Sequence, residues 1–243
     1  LVLVTATLSA TSWACSKKMA IEQWPPYVYS DGKGQPAGVD IELAKAIFLE
    51  AGCTLVIGDE LPRKRRHAMF MAGEIDLMLA ASDTAERREY SWFTSPYRNE
   101  SISLFTLQSK YPQYRYLENF ATLLAKRITL LSPNAGWYGE DYKKHYFSLN
   151  EADLLSQFET FNVGVKMAAA HRAELLMGDT GAVIYEAKLQ KVDLAELPMN
   201  VLRAPVHFML SKKSTSEAEL QALNAAIERL EKRGALNKIR AKY

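Results

Sequence analysis

The sequence has few of the residues from which catalytic and metal sites are built. It contains two cysteines and four histidines in 243 residues, and it has no C-x-x-C, H-E-x-x-H or G-x-S-x-G motif. These absences argue against a zinc site, thioredoxin-like redox chemistry, a metalloprotease and a serine hydrolase. We therefore expect a protein that needs no metal or cofactor and is not an enzyme.

A strong charge imbalance and a long apolar run are also missing. The 30 Lys and Arg residues are nearly balanced by 28 Asp and Glu residues, and the net charge of +2 argues against a nucleic-acid-binding face. No stretch approaches the ~20 apolar residues that a membrane-spanning helix needs. With 48% hydrophobic and 24% charged residues, the composition is that of a folded globular protein.

The first fourteen residues contain no charge and are predominantly apolar. Ser12 and Ala14 are small residues at the two positions that a signal peptidase reads. We predict that residues 1–14 are the remnant of a signal peptide, cleaved before Cys15, and that the mature protein is periplasmic. A buried N-terminal strand is the alternative. A lipid anchor on Cys15 is less favoured, because Ser12 stands where a lipoprotein signal has Leu.

In an exported chain, two cysteines favour one disulfide. Cys15 precedes a predicted strand at 19–23, and Cys53 precedes another at 54–57, with a predicted helix at 39–51 between them. If the two strands are neighbours in a βαβ unit, both cysteines lie near the same edge. The sequence leaves open that the two thiols are buried and unpaired.

Strand and helix patterns alternate along the chain, and the alternation restarts after residue 108. This order predicts an α/β fold with mostly parallel strands, in two lobes that no Pro/Gly/Ser linker separates. The remaining predicted strands are 75–80, 101–108, 128–131, 163–166, 181–185 and 207–211. The remaining predicted helices are 63–72, 139–146, 168–177 and one that runs to about 233 after a capping box at 214–217.

Several motifs in order resemble a known family. They are G-E-I-D at 73–76, T-A-E-R at 84–87, F-T-S-P-Y at 93–97, W-P-P-Y at 24–27 and G-V-D-I-E-L-A at 38–44. Together they resemble the periplasmic solute-binding proteins of family 3, the amino-acid-binding type that serves ABC importers. The resemblance extends from Cys15 to Tyr243.

The resemblance implies a type II periplasmic binding protein, a Venus-flytrap architecture that holds its ligand in the cleft between two lobes. Lobe 1 would comprise residues 15–107 and 204–243, and lobe 2 residues 108–203, with a hinge near Leu107 and Leu202. Such a protein would act as a monomer that captures a small carboxylate-bearing solute, an amino acid, and delivers it to a membrane permease. The alternatives are a ligand-sensing module of a membrane receptor and an enzyme of cyclohexadienyl dehydratase type on the same fold.

The resemblance also implies binding roles for residues of lobe 1. Arg87 would hold the ligand carboxylate, since an arginine in a strand-end loop can grip it with two parallel N–H bonds. An exposed helix face is the ordinary interpretation of the same residue. Trp24 would stack on the ligand, with Tyr27 in the same loop. The loop that meets the ligand would be Ala80, Ala81 and Ser82.

For lobe 2, the resemblance implies that Glu186 follows a strand and meets the ligand's amino group, and that Trp137 and Tyr138 line the cleft. Arg63 stands where family members line the pocket for the ligand side chain. A buried guanidinium without an acidic partner is costly. We therefore expect Arg63 to meet an acid from the protein or from the ligand, and in the second case an acidic amino acid is favoured.

Overall fold

The computed structural model describes residues 15–243, and the predicted signal-peptide remnant lies outside them. No helix in this part of the chain has the length and apolar character that crossing a membrane requires. The strands are β1 (Ser16–Ile21), β2 (Tyr29–Ser30), β3 (Pro36–Ala37), β4 (Thr54–Glu60), β5 (Leu77–Ala81), β6 (Ser91–Phe93), β7 (Arg98–Leu107), β8 (Leu130–Pro133), β9 (Leu155–Phe158), β10 (Leu175–Asp179) and β11 (Leu194–Ser211). The helices are α1 (Val39–Glu50), α2 (Arg63–Ala72), α3 (Ala85–Arg88), α4 (Tyr111–Tyr114), α5 (Phe120–Ala125), α6 (Glu140–Glu151), α7 (Phe161–Ala169), α8 (Thr180–Gln190), α9 (Glu217–Lys232) and α10 (Ala235–Arg240), with a 3₁₀ turn at Gln108–Lys110.

The main sheet has the strand order β5-β11-β7-β10-β8-β9, with β6 also paired to β11. Strands β8, β9 and β10 pair in parallel, as do β1 and β4 in a separate two-stranded sheet. The long strands β7 and β11 pair antiparallel with each other, and β7 pairs antiparallel with β10. The parallel strands are therefore divided into two groups, and β7 and β11 join them.

The apolar cores divide in the same way. One core is built from residues before 98 and after 205, and includes Ile41, Phe48 and Phe208. A second is built from residues 102–199 and includes Leu104 and Phe120. In a third cluster, α7 and α8 pack on the same sheet through Phe161, Val165 and Val183, and this cluster also includes Trp24. We call β1–β6, α1–α3, α9 and α10 lobe 1, and α4–α8 with β8–β10 lobe 2. The boundaries at 107 and 204 stay a prediction.

The predicted disulfide is confirmed. Cys15 and Cys53 are bonded, with their Cα atoms 4.7 Å apart. Strands β1 and β4 are parallel neighbours, with Ser16 opposite Thr54, so the residue before each strand reaches the same edge of the sheet. Because the disulfide occupies the sulfur of Cys15, that sulfur cannot carry a lipid in this form of the protein.

Two predicted strands in lobe 2 are helices. Residues 163–166 lie within α7 and residues 181–185 within α8, whereas the strand between the two helices is β10. The buried residues of α7 are Phe161, Gly164, Val165 and Ala168, which follow the helical spacing of one buried face. The local preference of valine for strands therefore yields to packing against the sheet. The predicted helix at 168–177 is also wrong, since these residues span the end of α7 and the start of β10.

The C-terminal helix α9 is capped by Ser216, two residues after Ser214, where the predicted capping box begins. Ser216 caps α9 by accepting a hydrogen bond from the Glu219 N–H, and the Glu219 side chain accepts one from the Ser216 N–H. This reciprocal pair satisfies two backbone donors that the first turn leaves free. The buried stripe of α9 includes the predicted residues Leu220, Leu223, Ile227 and Leu230.

Candidate functional site

A cavity of about 320 Å³ lies between the two lobes. This volume is at the lower end of the range for small-molecule sites. Its lining includes eight of the ten residues expected from the sequence to meet a ligand: Trp24, Arg63, Ala80, Ala81, Ser82, Arg87, Trp137 and Tyr138. The other two expected residues, Tyr27 and Glu186, are outside that lining.

Arg87 lies on the lobe 1 side of the cavity, on the short helix α3. The hydroxyl of Thr84 caps this helix by accepting a hydrogen bond from the Arg87 N–H. The guanidinium donates through Nη1 to the carbonyl oxygen of Ser82 at 2.9 Å, which orients it toward the cavity. The neighbouring Arg88 is exposed and pairs with Asp83 instead, through Nε at 2.6 Å.

Trp24 is buried and forms an apolar wall of the cavity with Phe161 of lobe 2. Tyr27 lies behind Trp24 rather than on the cavity, with the two ring centroids 4.9 Å apart. The ring of Tyr27 faces the guanidinium of Arg98 at 4.1 Å, and a side chain at Gly181 would overlap its hydroxyl. Tyr27 therefore supports the wall and, contrary to expectation, does not line the cavity.

The loop at 80–82 ends β5. Ala80 has a positive φ of 50°, and its N–H donates to the Tyr97 hydroxyl at 2.8 Å. A residue held in this sparsely populated conformation is often part of a binding site. The hydroxyl of Ser82 donates to Glu100 Oε1 at 3.3 Å, so the one hydroxyl of this loop contacts an acid of β7.

The expected position of the lobe 2 carboxylate is corrected by the structure. Glu186 lies in α8, is 4% exposed, and accepts hydrogen bonds from Asn162 and Gln190 at 3.1 Å, away from the cavity. The acid at the end of the preceding strand is Asp179, which lines the cavity and is 1% exposed. Since residues 181–185 are helical, the carboxylate at the strand end is that of Asp179, seven residues before Glu186.

Asp179 has one oxygen engaged and one free. Its Oδ1 caps α8 by accepting a hydrogen bond from the Ala182 N–H at 2.9 Å. Its Oδ2 is buried and has no hydrogen-bond partner among the described residues. Burial raises the pKa of this carboxyl, an effect that the charge of Arg98, the Ala182 N–H and the neighbouring Tyr27 hydroxyl oppose. A cation in the cavity would stabilise the ionised form.

Arg63 meets an acid of the protein. Its Nε donates to Glu22 Oε1 at 2.7 Å, and Arg66 pairs with the other carboxylate oxygen of Glu22. Burial raises the pKa of Glu22, but the opposing effect of the two arginines is larger and lowers the pKa to about 2. Glu22 is therefore ionised, and the charge of Arg63 needs no carboxylate from the ligand. Arg63 alone therefore gives no reason to expect an acidic amino acid, but Glu22 balances only one of the two arginine charges, and the buried Arg66 Nε has no hydrogen-bond partner among the described residues.

Arg63 also connects the two lobes. Its Nη1 donates to the carbonyl oxygen of Ala135 at 2.6 Å and to the Tyr138 hydroxyl at 3.1 Å. Tyr138 in turn donates to Ala135 at 2.7 Å, and a side chain at Gly136 would overlap the Tyr138 ring. This arrangement closes one side of the cavity with residues of both lobes.

Glu100, like Asp179, is a cavity carboxylate that has no ion-pair partner among the described residues. It lies on β7 and is 8% exposed. Burial raises its pKa to about 7, with the charge of Asp179 adding to the effect and that of Arg98 opposing it. Glu100 is thus partly protonated near neutral pH when the cavity is empty.

Sequence reasoning missed five charged residues of the cavity, namely Glu22, Lys64, Arg66, Glu100 and Asp179. Glu22 and Asp179 stand at the ends of strands, which is a local signal for a ligand-binding edge of an α/β sheet. Glu100 and Arg66 have no such signal, because each is a charged residue in the middle of its element. Within residues 15–243, no group of three or more side chains is arranged to hold a metal ion.

A family model described as bacterial extracellular solute-binding proteins, family 3, matches residues 18–243. Among curated protein sequences, none matches the chain. Solved structures with the same fold include a histidine kinase sensor domain with similarity to periplasmic binding proteins, at 18% identity, with 95% of this chain and 96% of that chain covered and a TM-score of 0.79.

Two other similar structures are of amino-acid-binding proteins. An ABC uptake transporter substrate-binding protein from Streptococcus pneumoniae, with bound histidine, is 22% identical, with 94% of this chain and 92% of that chain covered and a TM-score of 0.75. An arginine-, lysine- and histidine-binding protein from Geobacillus stearothermophilus is 17% identical, with 95% and 94% covered and a TM-score of 0.74. At these identities the likeness establishes the fold.

Proposed function

The chain belongs to the bacterial extracellular solute-binding proteins, family 3, and on that premise we propose that it binds an amino acid between Arg87 and Asp179. The observation that carries the proposal is the placement of these two opposite charges on facing lobes of one cavity. A carboxylate of the ligand pairs with Arg87 of lobe 1. An ammonium group pairs with the free Oδ2 of Asp179 in lobe 2.

The remaining surface of the cavity suits the carbon atoms of such a ligand. Trp24 and Phe161 offer aromatic faces from the two lobes, against which an alkyl chain or a cation packs favourably. Because the ligand makes contacts with both lobes, it binds the closed form better than an open one and shifts the population toward closure. The hinge of this motion lies in β7 and β11, the two strands that cross between the lobes.

We place the mature protein in the periplasm as a monomer that delivers its ligand to the permease of an ABC importer. The exported family and the disulfide, a bond that persists in oxidising compartments, support this location. The protein acts by binding alone, without transforming its ligand. Crosslinking in cells followed by identification of the captured membrane protein distinguishes an importer permease from a sensor kinase.

A thermal-shift series with L-leucine, L-glutamine, L-arginine and L-glutamate tests amino-acid binding. A ligand at 100 times its Kd stabilises the native state by about 2.7 kcal/mol, which raises the melting temperature. We expect at least one of the four to do so, and NMR of the recovered ligand to show it unchanged. If none of them shifts the transition at millimolar concentration, amino-acid binding is wrong. If the recovered compound is altered, the protein is an enzyme.

A further inference from the structure

Glu100 has no role in the proposed function so far, although it lines the same cavity. Its Oε1 accepts a weak hydrogen bond from Ser82, and no other hydrogen bond to its side chain occurs within residues 15–243. A buried carboxylate with a single neutral donor is poorly satisfied. Either the carboxyl is protonated, or a cation must come from elsewhere.

Within residues 15–243, no cationic side chain forms an ion pair with Glu100, and Arg87 of the same cavity donates to the Ser82 carbonyl oxygen instead. The guanidinium whose charge acts on Glu100 belongs to Arg98, and Asp40 engages it through two hydrogen bonds of 2.6 and 2.9 Å. Arg63 and Arg66 share the carboxylate of Glu22. Lys64 and His67, which also line the cavity, belong to the exposed face of α2.

Ser82 connects Glu100 to the expected carboxylate site. Its carbonyl oxygen accepts from Arg87, and its hydroxyl donates to Glu100. In an α-amino acid, the carboxylate and the ammonium group are attached to the same carbon atom. A ligand carboxylate held by Arg87 therefore places its ammonium close to the acid on the other side of Ser82.

We propose that Glu100 and Asp179 together bind the protonated amine of the ligand, so that the cavity selects α-amino acids over carboxylates without an amine. This inference rests on the proposed function and assigns Glu100 as a specificity-determining residue of that site. The two carboxylates repel each other across an empty cavity, and a cation between them stabilises both. The other groups around Glu100 are Arg98 on its own strand, Asp40 of α1, Tyr138 of lobe 2 and Ser82.

Binding of the amine should displace a proton. In the empty protein, burial and Asp179 raise the pKa of Glu100 to about 7, so it is about half protonated at neutral pH. An ammonium group favours the ionised carboxylate and lowers that pKa. Ligand binding at pH 7 is therefore accompanied by the release of up to about half a proton, and the affinity rises as the pH rises through 7.

Three matched pairs of probes test the amine site in isothermal titration calorimetry of the full chain. They are L-glutamate with glutarate, L-leucine with 4-methylpentanoate, and L-arginine with 5-guanidinopentanoate. In the pair that contains a binder, we expect the amino acid to bind at least about tenfold more tightly than its partner without the amine. Titrations in phosphate and Tris, which differ in ionisation enthalpy, measure the proton released.

The variant Glu100→Gln should weaken the amino acid at least about tenfold and abolish proton release. Glu196→Gln is the matched control, because Glu196 accepts from the Ser103 hydroxyl at 2.6 Å in the same manner but is exposed and outside the cavity. His67→Asn should retain proton release, which separates Glu100 from the histidine at the cavity. Proton release by the wild-type protein is measured without any variant, so this part of the test does not depend on whether a variant folds.

The outcomes separate the two claims. If an amino acid binds but Glu100→Gln changes neither affinity nor proton release, the inference is wrong and the proposed function stands. If glutarate, 4-methylpentanoate or 5-guanidinopentanoate binds as tightly as its amino acid, the amine site is wrong while Arg87 still explains the carboxylate. If no probe binds, the proposed function fails and the amine site fails with it.

Discussion

Arg98 and Asp40 form a bidentate ion pair in the interior of the protein, with Nε–Oδ1 and Nη2–Oδ2 distances of 2.6 and 2.9 Å. The pair joins the first residue of β7 to α1 and lies behind the cavity, where Arg98 also faces the ring of Tyr27. The side chains are 4% and 0% exposed, so neither charge has water to compensate for a missing partner.

The first prediction is that Asp40→Asn destabilises the protein by about 3–5 kcal/mol, because it leaves the Arg98 charge buried without its partner. Asp83→Asn is the control, since Asp83 pairs in the same bidentate way with the exposed Arg88. An exposed pair of this kind contributes less than about 1 kcal/mol. Urea denaturation measures both free energies of unfolding, and equal losses would contradict the prediction.

A second prediction concerns the ligand carboxylate. Arg87→Ala should weaken binding of the amino acid found in the thermal-shift series by about 2–5 kcal/mol, because truncation leaves a desolvated carboxylate unpaired. Arg88→Ala, one residue further along α3, removes an exposed guanidinium and should leave the affinity unchanged. Calorimetry measures the ligand affinity of the two variants. A similar effect of both would mean that net charge, rather than a contact with Arg87, controls binding.

The third prediction separates the two acids of lobe 2. Asp179→Asn should weaken ligand binding by about 2–5 kcal/mol, since Asp179 presents its free oxygen to the cavity. Glu186→Gln keeps the size of a side chain that contacts Asn162 and Gln190, and should bind the ligand like the wild type. The reverse result would support the position expected from the sequence.

Stability should depend on pH through Glu100, which gives a fourth prediction. The folded pKa of about 7 exceeds the ordinary value of 4.5, so the native state holds a proton that the unfolded state releases between these pH values. The free energy of unfolding of the empty protein therefore decreases from pH 4.5 to 7, by up to about 3 kcal/mol from this group. Glu100→Gln removes this contribution.

We expect the difference in unfolding free energy, Glu100→Gln minus wild type, to be more positive at pH 8 than at pH 5. Denaturant unfolding without ligand at the two pH values measures it. The comparison with the wild type cancels the pH dependence that both proteins share. A difference that is the same at both pH values would mean that Glu100 ionises normally.

The fifth prediction is that Cys15 and Cys53 are bonded in the exported protein. A thiol reagent added to the unfolded, unreduced protein should label neither sulfur. In the chain-entropy model, a closed loop of this length contributes about 4 kcal/mol, so a reductant should lower the free energy of unfolding markedly. The double variant Cys15→Ser, Cys53→Ser is the control, because the reductant should leave its stability unchanged.

The sequence by itself determined the features that depend on nearby residues. The helical spacing of Leu220, Leu223, Ile227 and Leu230 predicts the buried stripe of α9, and the strand-end motif at 84–87 brings Arg87 to the cavity. The disulfide followed from two cysteines that precede neighbouring strands. In each case, the signal and the structure lie within one element or one βαβ unit.

The tertiary structure decided the features that depend on distant residues. Val163 and Val165 have a strand preference of their own, whereas the Thr160 cap and the packing of Phe161, Gly164 and Ala168 against the sheet make the segment a helix. That change moves the lobe 2 carboxylate from Glu186 to Asp179.

The charges in and behind the cavity show the same limit most clearly. Glu22 meets Arg63 41 positions further along the chain, and Asp40 meets Arg98 across 58 positions. Local spacing contains no information on which distant strands meet, and burial and pairing set the charge of each group only after they have met. For this reason the sequence alone predicted the arginine that we propose binds a carboxylate, whereas the two acids that we propose bind an amine required the folded protein.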